Sequence, residues 1–483
     1  MSTATLVTFI VYLAAMLAIG LWFYRMTSNL SDYILGGRSL GPGVAALSAG
    51  ASDMSGWLLL GLPGAAYAAG LNSIWICIGL SLGAYLNWQF VAKRLRTYTE
   101  VAKNSLTIPD YLENRFRDDS KLIRIISAFV ILLFFTFYTS SGMVAGGKLF
   151  ENSFGLDYTA ALWIGAIVII SYTFLGGFLA VSWTDFFQGL LMFAALLIVP
   201  IAAIVELGGF GVVVEKVASV NPEALDVFAG MTAMGIISSM AWGLGYFGQP
   251  HIITRFMALK SKKDVPTARL IGMVWMIFGL LGAVFTGFAG IAYFADKPLA
   301  DAETVFMDFT QVLFQPWVAG ILLAAILSAI MSTIDSQLLV SSSAIAEDFY
   351  KAIFRKNASE KELVWVGRIS VVVIALIAIV LASNPDSSVL DLVSYAWGGF
   401  GAAFGPVIIL SLFWKRMNRW GALAGLVSGS ATVVIWKQLE GGLYDLYEIV
   451  PGFIVCTLAI IIFSLLTEAP SEEIQEEFEK AKA

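Results

Sequence analysis

Three stretches of this 483-residue chain place polar groups inside long apolar runs, where they are costly unless they bind something. In "AAILSAIMSTIDSQLLVSSS", residues 324–343, Ala329, Ser332 and Thr333 stand at i, i+3 and i+4 and so share one helical face. Two hydroxyls on one face, beside carbonyls freed from a helix, form a neutral oxygen set suited to a small monovalent hard cation. The competing reading is back-bonding of serine and threonine to the preceding turn.

The second stretch, "SAGASDMSGW" from Ser48 to Trp57, sets Asp53 between Gly50 and Gly56 and is followed by "GLPG". The third, "WGLGYFGQPH" from Trp242 to His251, holds three glycines and a proline. Either would interrupt a helix. An unwound segment in an apolar medium must find partners for its freed carbonyls and amides: a cation takes the carbonyls, and a ligand carboxylate takes the amides and the positive helix end. The alternative is that these glycines only let helices pack closely. Trp242, Tyr246 and Pro250 are spaced by fours and so line one face if the helix persists, a pattern that plain packing also gives. The lone His251 reads as a packed or capped imidazole, with a proton relay as the other option.

The elements that would position these groups follow from composition. The chain is 58% hydrophobic and 13% charged, against about 25% charged in ordinary soluble domains. It is expected to be an all-α integral membrane protein. Apolar runs long enough to span a bilayer fall at 4–24, 42–69, 72–92, 125–149, 158–180, 187–206, 230–254, 270–294, 317–346, 367–383, 390–413, 420–436 and 450–467. The first lacks the basic flank of a signal peptide and is kept as a span. With these spans, all of the 29 basic residues except Lys148, Lys216, Lys297 and Lys437 fall on one side, which places the N-terminus outside and the C-terminus in the cytoplasm.

The net charge of −6 calls for no nucleic-acid partner. The tail "EAPSEEIQEEFEKAKA", 468–483, reads as a solvated cytoplasmic segment rather than a docking element. Cys77 and Cys456 both fall in spans, where they act as small apolar groups. The longest loops, 93–124 and 207–229, leave no room for a nucleotide-binding domain, and no phosphate-binding loop motif is present, so an ATP-driven pump and an enzyme are not expected. The two interrupted runs are the second and the seventh, five apart, which is the sequence pointer to an inverted-repeat transporter.

The stretches "SDYILGGRSLGP", "LSAGASDMSGWLLLGLPGA", "GGFLAVSWTD", "WGLGYFGQPHI", "MSTIDSQLL" and "LVSYAWGGFGAAFGP" resemble the sodium/solute symporter family from about residue 5 to residue 470, and within it the bacterial members that carry proline. The resemblance implies a LeuT-like core of two inverted five-helix repeats, 42–206 and 207–413, preceded by an extra helix and loop, 4–41, and followed by two helices, 414–467, before the tail. It implies sodium as the co-transported ion, L-proline as the solute and a bacterial inner-membrane location. Its sodium site maps onto the carbonyls of Ala51, Met54 and Ala329 and the hydroxyls of Ser332 and Thr333, with Asp53 beside it as a coupling acid or, alternatively, a structural staple. Its solute pocket maps onto Trp57, Tyr138, Trp242, Tyr246 and Pro250. Where serine and cysteine are expected after "MST" and one apolar residue, this chain has Asp335 and Ser336; with Asp185 these form a candidate second cation site. The alternatives are symport of another small carboxylate-bearing solute, or a channel or sensor on the same fold.

Overall fold

The computed structural model describes residues 3–26, 29–173 and 177–482. Among these residues the regular structure is helical, as an apolar medium demands, because a helix satisfies its own backbone groups internally. The one sheet-like element is a parallel bridge between Leu40 and Leu259, where Leu40 N donates to Ala258 O at 3.1 Å and Lys260 N donates to Leu40 O at 2.9 Å. Gly176 of the "GGFLAVSWTD" stretch, and 174–176 of the expected run 158–180, lie outside the described residues.

Among the described residues, nine helices are long and apolar enough to cross a membrane. They include Thr3–Tyr24, Leu122–Phe154, Phe178–Glu206, Val265–Tyr293, Pro316–Ser343, Glu360–Leu381, Val389–Phe413 and Ile449–Leu466. Tyr158–Thr173 and Arg419–Trp436 account for two further expected runs. The expected runs 42–69 and 230–254 are helices in separate pieces. Pro316–Ser343 is the most enclosed of the long helices, buried on every side along most of its length. A helix surrounded by other helices has no lipid face to pattern, so its serines and threonines can all point at protein.

The segments expected as plain loops hold short helices. The 93–124 stretch forms Lys93–Val101 and Ile108–Phe116, and 207–229 contains Phe210–Val220, whose Val213 and Val217 pack with Phe288 and Ile291.

The tail differs from expectation. Glu472–Lys482 is a helix whose Ile474, Phe478 and Ala481 are buried. Phe478 lies under the guanidiniums of Arg94 and Arg115, at 5.7 and 5.2 Å from the ring centre. Arg117 pairs with Glu473 at 3.0 Å and Glu477 at 2.6 Å, and Lys415 pairs with Glu479 at 3.3 Å. The overall acidity of the segment hid an apolar stripe at i, i+4 and i+7, which is enough to dock a short helix on a basic surface.

Candidate functional site

The first break follows the helix Pro42–Asp53. At Met54 the backbone leaves the helix (φ −78°, ψ 73°), and winding resumes at Trp57–Gly61 in one wide turn before Leu62–Ala69. The second consists of Ala233–Met240, a tightly wound Ala241–Gly248, an extended Gln249 (φ −78°, ψ 108°) and then Pro250–Ala258. Proline at the first position of the last piece has no N–H to continue the winding. Glycine is required at 245 and 248 by close approach. A Cβ at Gly245 would overlap the indole nitrogen of Trp397, and one at Gly248 would overlap the carbonyl of Phe400. Arg38, whose pKa is pushed down to about 10 by burial and by nearby Arg96, ties the end of the second broken helix to the loop after Lys93–Val101 by donating to Met257 O at 2.7 Å and Ser105 O at 2.8 Å.

Four of the five groups expected to hold a cation, those of Ala51, Ala329, Ser332 and Thr333, lie together. Ser332 Oγ donates to Ala51 O at 2.8 Å and to Ala329 O at 3.2 Å, while Thr333 Oγ1 donates to Ala51 O at 3.3 Å. The i, i+3, i+4 face of one helix therefore meets a carbonyl from the last turn before the first break, and Met54 is the residue at which that helix opens. Hydroxyl donation to a carbonyl is also what such groups do in the absence of a cation; an ion between them would turn the hydroxyl lone pairs, now free, inward.

Asp53 joins this oxygen set to the aromatic groups. Its main-chain carbonyl accepts from Trp57 Nε1 and from the Tyr138 hydroxyl, each at 3.1 Å. Its carboxylate Oδ2 accepts from the Tyr246 hydroxyl at 2.5 Å, and its Oδ1, though buried, has no hydrogen-bond partner. The carboxylate is thus held by a side chain of the other broken helix rather than by local amides. Trp57, Tyr138, Trp242 and Tyr246 are all buried, and Trp57 and Trp242 are in contact, with ring centres 6.1 Å apart. Pro250 stands apart from them: it lines a separate space with Thr107, Phe178, Leu339 and Asp348, while Asp53 and Tyr246 line one with Asn87, Trp88 and Met276. His251 packs edge-on against Phe135 and Tyr138, and neither of its ring nitrogens has a partner.

Asp185, Asp335 and Ser336 are also brought together, around Arg255, which directly follows the expected run 230–254. Arg255 is completely buried. Its guanidinium donates to Asp185 Oδ2 at 3.1 Å, Ser336 Oγ at 2.6 Å, Ser48 Oγ at 3.0 Å and His251 O at 2.8 Å. Ser48 Oγ donates in turn to Asp185 Oδ2 at 2.7 Å. Two oxygens of this cluster, Asp185 Oδ1 and Asp335 Oδ2, are buried without partners. The sequence reading also passed over Trp397, whose indole N–H donates to Trp242 O at 2.7 Å. It lies inside "LVSYAWGGFGAAFGP", but no spacing rule singles it out.

Two broken helices crossing at a buried carboxylate, with hydroxyls and freed carbonyls converging beside it inside an all-helical membrane protein, define a secondary transporter. The profile of the sodium:solute symporter family matches residues 33–429. The sodium/proline symporter of Escherichia coli strain K12 is 58% identical over 488 residues, covering 100% of this chain and 97% of the relative. The high-affinity proline transporter of Bacillus subtilis strain 168 is 58% identical over 466 residues, covering 96% and 98%. The chain belongs to the sodium:solute symporter family. Among solved structures, a sodium-coupled sialic acid symporter in a substrate-bound outward-open state superposes with a TM-score of 0.81 at 20% identity, covering 98% of this chain and 99% of that one. The nucleobase-cation-symport-1 transporter Mhp1 superposes at 0.58 and 15% identity, covering 94% and 100%. These two likenesses bear on the fold.

Proposed function

We propose that this chain imports L-proline together with sodium by alternating access, as a multi-pass protein of the bacterial plasma membrane. Full-length relatives at this identity are proline transporters. The observation that carries the mechanism is the bond from Tyr246 to Asp53, because it connects a solute wall on one broken helix to the cation oxygens beside the other.

In this reading sodium is held by the carbonyls of Ala51, Met54 and Ala329 and by the hydroxyls of Ser332 and Thr333. Proline lies among Trp57, Tyr138, Trp242 and Tyr246, its apolar ring against the aromatic faces and its charged head toward the opened backbone, while Pro250, which lines a separate space, starts the next helical piece. The unpartnered Asp53 Oδ1 supports this, since a buried carboxylate oxygen is costly to leave bare and an arriving cation is the natural relief. Each sodium that moves with the net-neutral zwitterion makes import electrogenic, worth about 2.3 kcal/mol per 100 mV.

The architecture belongs to the same proposal: thirteen passes, an extra N-terminal helix, inverted repeats at 42–206 and 207–413, two further helices, an outside N-terminus and a cytoplasmic tail. The tail helix supports that orientation by pairing with Arg117 and Lys415, both assigned to the cytoplasmic side. A second cation between Asp185, Asp335 and Ser336 is part of the proposal too. Asp185 pairs with Arg255 there, Asp335 accepts from Ser336, and one oxygen of each carboxylate lacks a partner.

The test is uptake of labelled proline by purified protein in proteoliposomes. Accumulation that needs an inward sodium gradient supports the reading. Equal uptake without the gradient, or none with it, removes it.

A further inference from the structure

The hydrogen bonds of Trp397 go to neither the cation oxygens nor Asp53 but hold the irregular part of the second broken helix at both ends. Its Nε1 donates to Trp242 O at 2.7 Å, and its own carbonyl accepts from Gln249 Nε2 at 3.2 Å. Between those anchors its ring lies near-parallel to Trp242, with centres 6.4 Å apart and planes at 28°. It also meets Tyr246 edge-on, with centres 5.0 Å apart and planes at 85°. The indole nitrogen occupies the space where a side chain at Gly245 would go.

The element that carries Trp397 is better fixed than the one it supports. The N-terminus of Val389–Phe413 is held by Glu303, whose carboxylate accepts from the amides of Val389 and Leu390, each at 3.2 Å, and pairs with Lys148 at 2.7 Å. The tightly wound Ala241–Gly248 lacks the regular backbone bonds of an α-helix and needs an outside template. A binding residue keeps its geometry only when something rigid sets it.

We propose that Trp397 is a specificity-determining residue for the transported solute: backing both the Trp242 and the Tyr246 rings, it sets how wide a ring the pocket admits. This rests on the reading that those two rings face proline. Removing the N–H while keeping an aromatic ring, as in Trp397→Phe, should loosen the Trp242 carbonyl and leave the cation oxygens untouched. Trimming the ring, as in Trp397→Ala, should add width behind Trp242.

The experiment measures wild type, Trp397→Phe, Trp397→Tyr and Trp397→Ala in proteoliposomes, normalised to folded protein. It uses labelled proline, with competition by the four-membered azetidine-2-carboxylate and the six-membered pipecolate. Trp397→Phe is expected to raise the proline KM about three- to tenfold, the range for one lost hydrogen bond, with half-maximal sodium at saturating proline within about twofold of wild type. Trp397→Ala is expected to shift competition toward pipecolate relative to azetidine-2-carboxylate. An unchanged competition order, a loss confined to maximal rate, an equal shift in sodium dependence, or failure of every variant to fold would make Trp397 a packing residue and overturn the proposal. Failure of the wild type to take up proline with sodium would instead overturn the reading on which it rests.

Discussion

The Tyr246 hydroxyl donates to Asp53 Oδ2 at 2.5 Å, across the interface between the two broken helices. Asp53 lies two residues beyond Ala51, whose carbonyl receives Ser332 and Thr333, while Tyr246 lies on the tightly wound segment that begins beside Trp242. A cation drawn to the free Oδ1 and a solute lying on the tyrosine ring would therefore act on one bond from opposite sides. That is a physical route for coupling, because each ligand changes what the other must reorganise.

Asp53→Asn keeps the size of the side chain and can still accept from Tyr246, but it removes the charge. Half-maximal sodium for uptake is expected to rise by about tenfold or more, equivalent to about 1.4 kcal/mol, while thermal unfolding in detergent stays near wild type. Reduced stability with a normal sodium profile would make Asp53 a structural staple.

Thr333→Ala deletes a hydroxyl that contacts Ala51 O at 3.3 Å. Its expected signature is a sodium titration displaced to higher concentration, with proline affinity restored at saturating sodium. Coincident titrations of mutant and wild type would take Thr333 out of the cation site.

Trp242→Ala and Tyr246→Ala should act on the solute first. Loss of a well-packed aromatic contact is worth on the order of 1–3 kcal/mol, so proline binding to purified protein should weaken by that amount. Normal binding accompanied by poor expression would mean that the rings only pack.

Arg255→Met would leave the Asp185 carboxylate buried without its cation, a loss of about 3–5 kcal/mol for breaking a buried pair from one side. The double variant Arg255→Met with Asp185→Asn should recover much of that stability, which thermal unfolding in detergent can measure. A double variant no more stable than Arg255→Met alone would show that the two residues do not act as a pair.

The parts of the protein written in local periodicity could be read without a structure. Apolar runs of spanning length, the glycine-rich interruptions around Asp53 and Tyr246, and the shared face of Ala329, Ser332 and Thr333 each follow from a few neighbouring residues. Arg255 could not be read that way. It follows directly on the predicted span 230–254, where arginine ordinarily reaches water, and only the fold brings Asp185 and Ser336 to it. Trp397 is invisible for the same reason, since its partners are Trp242 and Gln249, far away in the chain. The tail was misread because its charge outweighed a three-residue apolar stripe that has meaning only against Arg94, Arg115 and Tyr98.

Coupling through Asp53 and Tyr246 is tested most directly by equilibrium binding of labelled proline to purified protein across a sodium titration, paired with sodium binding measured at zero and saturating proline. Reciprocity requires the two ligands to raise each other's affinity by the same factor; that factor is expected to be large in wild type and to fall toward one in Tyr246→Phe. Proline binding that is independent of sodium in wild type, or a coupling factor unchanged in Tyr246→Phe, would contradict the account.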